Sequence, residues 1–586
     1  MRTTTTDLTQ VIVMDAGSSG TRIHCYNFHW HKNNNVFIPK IDRDVIEQQT
    51  LRVEPGLSSL ANLNDMKMSN TIETTITSLL TFAKQFVTTE RLSQTPVLLK
   101  ATAGMRLVNV RTASKIMNEV RQQLLESDFL FEADWASIIP GEDEAGLAWI
   151  AANYLNGTLD TVGTPTLGVI EMGGASSQIS FSIGTDGTSK AMYQTLEKDH
   201  RFKFTDFYQR EHYIYAMSYL GFGRDSAYAR LDATLANRAN TVANARNEVA
   251  TTTTLTNPCH LHSYSHKITL GSGPSVLVQG SGNYNQCLTL IKQVLFNATV
   301  TDQPPYIPGT VLDQGALSPI KNNHAVPMIA TEVFYYVREN VQSPQIQQSL
   351  QHHLMDLSPT YTEMLGNLVC SSGSGENNQH QERDDTCFSI GFQSIFLNRI
   401  GALSSDSATK KMPTPKAIQN IGGVQVEWAI GAAVQYAVTY DPHSSSSFST
   451  LSIETTSSYW SFSETIFFAL AITFATLSFL VVLAKMVSST HCLSNLGRHV
   501  FNLTGGHGAR RRTQGRRNKN GDKFKNSDVK KRKQFTKYER VQTEEDNDDA
   551  TSRIEIEMNN SSGGGSRTAR GPVALKWKLS DDHIAT

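Results

Sequence analysis

The sequence predicts an α/β fold in two related lobes, followed by one C-terminal membrane span. Three observations carry this. Short apolar runs alternate with helical patterns, a strand–acid–Gly/Ser pattern occurs twice, and a run of 20 uncharged residues begins at Thr465.

Val11-Ile-Val-Met14 reads as a short buried strand, as do Val97-Leu-Leu99 and Thr166-Leu-Gly-Val-Ile170. Within 144–155, Leu147, Ala148, Ile150, Ala151, Tyr154 and Leu155 recur at helical spacing. Ser371–Thr386 is a polar surface loop bracketed by Cys370 and Cys387. Residues 1–163 form lobe I, completed by about 424–442, and residues 164–423 form lobe II. A Ser/Thr-rich stalk at 443–464 leads to the span at 465–484. Residues 485–586 are basic, then acidic, then Gly/Ser-rich, a composition that stays disordered.

At about 1.5 Å per residue, a helix over 465–484 covers the roughly 30 Å hydrocarbon core. Glu464 and Lys485 delimit it, and Tyr459 and Trp460 suit an interfacial aromatic belt. Of the 586 residues, 1–484 hold 32 Lys+Arg against 42 Asp+Glu, and 485–586 hold 21 against 12. An acidic body argues against nucleic-acid binding, and a basic tail is the cytoplasmic side of a span. The body is therefore expected in a lumen or outside the cell. Arg510–Arg512, Arg516, Arg517 and Lys530–Lys533 are placed to touch anionic lipid or a cytoplasmic protein. Cysteines 259, 287, 370 and 387 suit an oxidising compartment. Disulfides 259–287 and 370–387 are the natural pairing, although four cysteines allow three. Asn156-Gly-Thr and Asn297-Ala-Thr are glycosylation sequons. The N-terminus, in contrast, has no apolar stretch of signal-peptide length.

The internal echo carries the chemistry. Val11–Met14 leads into Asp15-Ala-Gly-Ser-Ser-Gly-Thr-Arg22, and Thr166–Ile170 leads into Glu171-Met-Gly-Gly-Ala-Ser-Ser-Gln178. Glycines let backbone N–H groups approach an oxyanion, serines add donors, and the acid can hold a divalent cation bridging phosphate oxygens. One such turn alone is an ordinary hairpin. Two facing turns clamp a polyphosphate.

These segments resemble the apyrase, or nucleoside triphosphate diphosphohydrolase, family. Its motifs occur in order: Asp15–Arg22, Lys100-Ala-Thr-Ala-Gly-Met-Arg106, Gly141-Glu-Asp-Glu-Ala-Gly-Leu-Ala-Trp149, Glu171–Gln178 and Trp428-Ala-Ile-Gly431. The single C-terminal span is most similar to the fungal Golgi-type apyrases. The resemblance implies two actin/Hsp70/hexokinase-like (RNase H-like) lobes with nucleotide in the cleft between them. It implies Ca²⁺ or Mg²⁺ held, mostly through water, by Asp15, Thr102, Glu171 and Trp428. Phosphates would be bound by Ser18, Ser19, Gly20, Thr21, Gly173, Gly174, Ala175 and Ser176. Glu144 matches the catalytic base, and Ser176 and Gln178 match the residues that orient the attacking water. The implied reaction removes terminal phosphate from nucleoside di- and triphosphates such as GDP, UDP or ATP, in support of Golgi glycosylation. Glu171 stands where the family usually has Asp, which extends its carboxylate by about 1.5 Å. An exopolyphosphatase-like hydrolase and a non-catalytic nucleotide-binding membrane protein are the alternatives.

Overall fold

The computed structural model describes residues 8–440 except 34–35, 162, 246–252, 263, 270–274, 297–325, 342, 373–384 and 404–413, together with 556–558. Strands β1 (Leu8–Ala16), β2 (Thr21–Asn33), β3 (Val36–Ile41), β4 (Thr50–Val53), β5 (Val97–Ala101) and β6 (Ala136–Ile138) form the first sheet. Its order is β3-β2-β1-β5-β6, with β4 pairing along β2. Strands β7 (Gly168–Met172), β8 (Ser176–Gly184), β9 (Arg201–Thr205), β10 (Glu211–Leu220), β11 (Thr253–Asn257), β12 (Ser265–Thr269), β13 (Ser275–Gly280), β14 (Met328–Glu332) and β15 (Lys416–Ala417) follow. The second large sheet has the order β15-β14-β7-β8-β10-β9, and β11-β13-β12 form a smaller one. The large sheets repeat one plan. β1 and β7 each run antiparallel to the next strand and parallel to a later one, β5 or β14.

The helices are α1 (Asp65–Ala83), α2 (Ala103–Arg106), α3 (Val110–Leu125), α4 (Gly141–Leu155), α5 (Gly187–Thr195), α6 (Arg224–Ala245) and α7 (Tyr284–Leu295), with further ones in the second half, among them Trp428–Thr439. Side chains of a strand alternate between faces, so the unbroken apolar run of β1 needs cover on both sides. Val11 and Val13 enter a core with Leu147, Trp149, Val434 and, from the second sheet, Val169 and Ile214. Ile12 and Met14 enter another with α1 and α3. The far face of the second sheet packs Ile170, Ile179 and Phe181 against α6, α7 and helices Pro359–Ser371 and Thr386–Arg399. The result is a two-lobed α/β fold with α4 and helix Trp428–Thr439 between the sheets. These two helices approach so closely that a Cβ on Gly431 would stand 1.9 Å from the Leu147 carbonyl oxygen.

The strand read over 166–170 runs instead from Gly168 to Met172, because the Leu167 N–H is taken by Asn153 Oδ1 of α4. The helix read over 144–155 starts at Gly141. Both expected disulfides form, Cys259–Cys287 and Cys370–Cys387, with Cα separations of 4.7 and 4.9 Å, and Cys25 is buried and free. The stalk, the span, the Asn297 sequon and the basic clusters lie outside the described residues. Among those described, no helix is long and apolar enough to cross a membrane. Of the tail, Ile556–Met558 is described, as a strand antiparallel to β12. That differs from a tail held across a membrane from the body. An alternating Ile-Glu-Ile-Glu-Met segment is a strand pattern, and β12 presents an edge for it.

Candidate active site

In the hairpin of β1 and β2, Asp15 stands opposite Arg22 and Ala16 opposite Thr21, so Gly17–Gly20 is the turn. The turn is held by close backbone approach. A Cβ on Gly104 would stand 2.8 Å from Ser18 Cα, and one on Gly56 would stand 2.6 Å from the carbonyl oxygens of Gly17 and Ser18. This explains a glycine within Lys100–Arg106. Thr102, at the end of β5, donates its N–H to the Ala16 carbonyl at 3.2 Å and so sits at the base of the turn. Arg52 Nη2 donates to Ser19 Oγ at 2.9 Å. Thr21 is fully buried at the start of β2.

The second hairpin repeats the design, with Glu171 opposite Gln178 and Met172 opposite Ser177. The carbonyls of Gly173, Gly174 and Ala175 accept from N–H groups of Arg224, of Asp225 and Ser226, and of Gly221, pinning the turn to the start of α6. Ser177 Oγ donates to the Phe222 carbonyl at 2.7 Å. The two turns face each other: a Cβ on Gly174 would stand 3.3 Å from Ser18 Oγ.

Beside them lies the first turn of α4. A Cβ on Gly141 would stand 2.2 Å from Ser218 Cβ of β10, so glycine there lets the helix start approach the second sheet. Glu144, buried, accepts from Arg106 Nη2 at 2.8 Å. The same nitrogen lies 3.2 Å from Ser176 Oγ, and Gln178 Nε2 lies 2.6 Å from that hydroxyl. Burial raises the Glu144 pKa, while Arg106 and a hydrogen bond from Gln178 oppose the shift.

The same region concentrates negative charge. Burial first, then Glu144, Glu427 and Glu332, push the Asp15 carboxyl up to about 7 against the pull of Arg22. Glu171 is raised well above the carboxylate range by burial and by Glu144, Glu332, Asp15 and Glu427. Burial works against the charge of Arg22, but Glu427, Glu332 and Asp15 outweigh it and hold the guanidinium protonated. His24 is lowered to about 3 by burial and by Arg22, so it is neutral where it lies 3.3 Å from Glu427. Asp15 Oδ1 is buried without a hydrogen-bond partner. Hard oxygen donors that are mutually repelled and incompletely satisfied fit a divalent cation such as Ca²⁺ or Mg²⁺. Among the described residues no three of these carboxylates converge within 4.8 Å.

Of the residues singled out from sequence, Asp15, Ser18, Glu144, Glu171, Gly174, Ser176 and Gln178 therefore gather in one region. Trp428 is buried in the core shared by the two sheets, and its predecessor Glu427 is the residue that acts on Asp15 and Glu171. Sequence reasoning missed Arg22, Arg106, Glu332 and Glu427 as site residues. Glu332 had a legible signal: Met328-Ile-Ala-Thr-Glu332 is an apolar strand ending in an acid, as at Asp15 and Glu171. Its φ of 59° is costly for a non-glycine residue and marks the end of β14.

Residues 1–446 match the model of the GDA1/CD39 (nucleoside phosphatase) family. Probable apyrase 3 of Arabidopsis thaliana is 34% identical over 230 residues, 39% of this chain and 44% of that protein. Ectonucleoside triphosphate diphosphohydrolase 6 of Mus musculus is 35% identical over 217 residues, 37% of this chain and 44% of that protein. The matched stretch thus spans less than half the length of these curated relatives. The crystal structure of nucleoside triphosphate hydrolases from Neospora caninum shares the fold, with a TM-score of 0.51 at 15% identity, over 74% of this chain and 93% of that one. These relatives support the family as a whole rather than a fungal branch of it. With three-quarters of its length matched by one family model, the chain belongs to the GDA1/CD39 (nucleoside phosphatase) family.

Proposed function

We propose that this protein is an apyrase-type phosphohydrolase that converts nucleoside di- and triphosphates, ATP, GDP and UDP among them, to the monophosphate and inorganic phosphate. The observation that carries the reading is the approach of Ser18 to Gly174 beside the hydrogen-bonded set Arg106, Glu144, Ser176 and Gln178. The two turns bind the phosphate chain through backbone N–H groups and the Ser18 and Ser176 hydroxyls. Asp15 and Glu171, with Thr102 at the base of the first turn, would hold Ca²⁺ or Mg²⁺ largely through water; the bound cation supplies charge neutralisation at the phosphate oxygens. Ser176 and Gln178 orient a water in line with the terminal phosphorus. As its oxygen bonds to phosphorus, the bridging P–O bond breaks, and Glu144 takes the water's proton. A carboxylate raised by burial is a stronger base than a solvated one, and Arg106 pulls against that rise.

The reading is tested on the full-length protein in detergent with Ca²⁺ or Mg²⁺. Phosphate release from UDP or GDP is expected, and Glu144→Gln should reduce kcat by about 10²–10⁴-fold. An identical trace rate in both proteins overturns it.

The place of action belongs to the same proposal. Residues 465–484 anchor the chain, the body lies in the lumen of the Golgi or a related endomembrane, and the enzyme consumes nucleoside diphosphates released by glycosyl transfer, as in fungal Golgi-type apyrases. The basic tail lies on the cytoplasmic side. Two disulfides support an oxidising compartment, and Asn156 is exposed at the end of α4, open to glycosylation. The pairing of Ile556–Met558 with β12 stands against a cytoplasmic tail, and protease access to the tail decides between the two. An endoglycosidase-sensitive mass shift lost in Asn156→Gln, with the tail open to protease in sealed microsomes, supports this topology. An unglycosylated Asn156 together with a protected tail overturns it.

A further inference from the structure

Far along the chain from the cleft motifs, Asp232 of α6, His260 in the turn after Cys259 and His266 of β12 each bring one donor atom within 4.8 Å of the others. Both histidines are buried and Asp232 is half-buried. One carboxylate oxygen of Asp232 lies 3.8 Å from His260 Nε2 and the other lies 3.8 Å from His266 Nε2. That exceeds hydrogen-bond reach. Two ligands of a tetrahedral Zn²⁺, each bonded at about 2.0–2.1 Å, stand roughly 3.3 Å apart. The three donor atoms, all within 4.8 Å of one another, would draw together by at most about 1.5 Å to close on such an ion. Asp232 Oδ1, the oxygen that faces His260 Nε2, is also buried without a hydrogen-bond partner.

We propose that Asp232, His260 and His266 form a binding site for a divalent transition-metal ion of the zinc type, separate from the carboxylate cleft. Two imidazoles and one carboxylate select zinc-like ions over Ca²⁺ and Mg²⁺, which prefer all-oxygen shells. Tyr228 Oη, 3.4 Å from His260 Nε2, adds an oxygen beside the site. The local fold has a use for such a link. Where α6 meets the small β11-β13-β12 sheet, the buried core among the described residues is Ala236, Val276 and Val278. A core that small is stabilised by cross-links. Cys259–Cys287 supplies one beside His260, and a metal joining α6, the turn and β12 supplies a second. The sequence carries the matching signal, His260-Leu-His262-Ser-Tyr-Ser-His266, a histidine-rich tract.

The test uses the full-length chain in detergent, stripped with chelator and then titrated with Zn²⁺ in excess Ca²⁺, which keeps the carboxylate cleft supplied. Calorimetry should show about one Zn²⁺ per chain, thermal unfolding should shift upward by several degrees, and Co²⁺ in place of Zn²⁺ should give visible absorption bands. Asp232→Asn and His260→Gln should each weaken Zn²⁺ binding at least about tenfold, while Glu171→Gln should not. Asp232→Asn is the conservative probe should the buried histidine variant fail to fold, with the intact Cys259–Cys287 bond as the check on folding. Zn²⁺ binding unchanged in Asp232→Asn, no Zn²⁺ binding by the wild type, or Mg²⁺ binding equally well at this site overturns the proposal.

Discussion

Arg106 joins Glu144 through a 2.8 Å contact from Nη2 to Oε2, and from the same nitrogen reaches Ser176 Oγ at 3.2 Å. One guanidinium thus spans the short helix after β5, the first turn of α4 and the second Gly/Ser turn. It is also the group that most opposes the effect of burial on the Glu144 carboxyl.

Replacing Arg106 should therefore both misplace Glu144 and leave it protonated to higher pH. Arg106→Ala is expected to lower kcat by about 10²-fold and to move the acid limb of the rate profile upward, with Arg106→Lys intermediate. A uniform loss at every pH would leave Arg106 a merely structural role.

Gly104 is predicted to act on phosphate binding without touching substrate. A Cβ there would stand 2.8 Å from Ser18 Cα and 2.8 Å from Ser58 Oγ, so Gly104→Ala must displace the first turn. A shift of about 1 Å in such a site costs on the order of 10²-fold in rate. Gly187→Ala is the control, since nothing lies within 4 Å of its would-be Cβ. Equal activities of the two variants would show that the first turn tolerates movement.

The Asp15 carboxyl, raised from 3.8 to about 7, makes the metal-free protein lose stability as pH rises toward neutral. A group raised in the folded state stabilises the fold fully below its unfolded value, and that contribution is lost as pH rises through the folded value. Without divalent cations, thermal stability should fall between about pH 4 and pH 7, and Asp15→Asn should flatten the fall. Ca²⁺ or Mg²⁺ favours the ionised carboxylates, so its stabilising shift should be larger at pH 8 than at pH 5. Equal metal shifts at both pH values would count against the cleft acids as its ligands.

Glu427 and Trp428 should separate into two phenotypes. Trp428→Ala removes a side chain buried in the core between the sheets and is expected to cost about 3–5 kcal/mol in denaturant unfolding. Glu427→Gln removes the carboxylate nearest Arg22 and His24 and should weaken Ca²⁺ or Mg²⁺ binding with a smaller loss of stability. Calcium titration of both variants checks the division, and Ca²⁺ binding lost in Trp428→Ala but kept in Glu427→Gln would place the metal contact at Trp428 instead.

The α/β class, the hairpin turns at Gly17 and Gly173 and the α4 carboxylates were legible in the sequence by itself, because each is local. An apolar strand, an acid, a glycine turn and a helical period all lie within about ten residues of chain. The disulfide pairing was legible only as one of three options, and the structure selects it by distance. What the tertiary structure decided is which distant residues meet. Gly104 underlies Ser18, Gly174 faces Ser18, and Arg106 reaches across to Ser176. Glu332 and Glu427 join Asp15 because β14 pairs beside β7 and the turn before helix Trp428–Thr439 lies against β2. Charge–charge coupling depends on distance through space, and no periodicity along the chain encodes it.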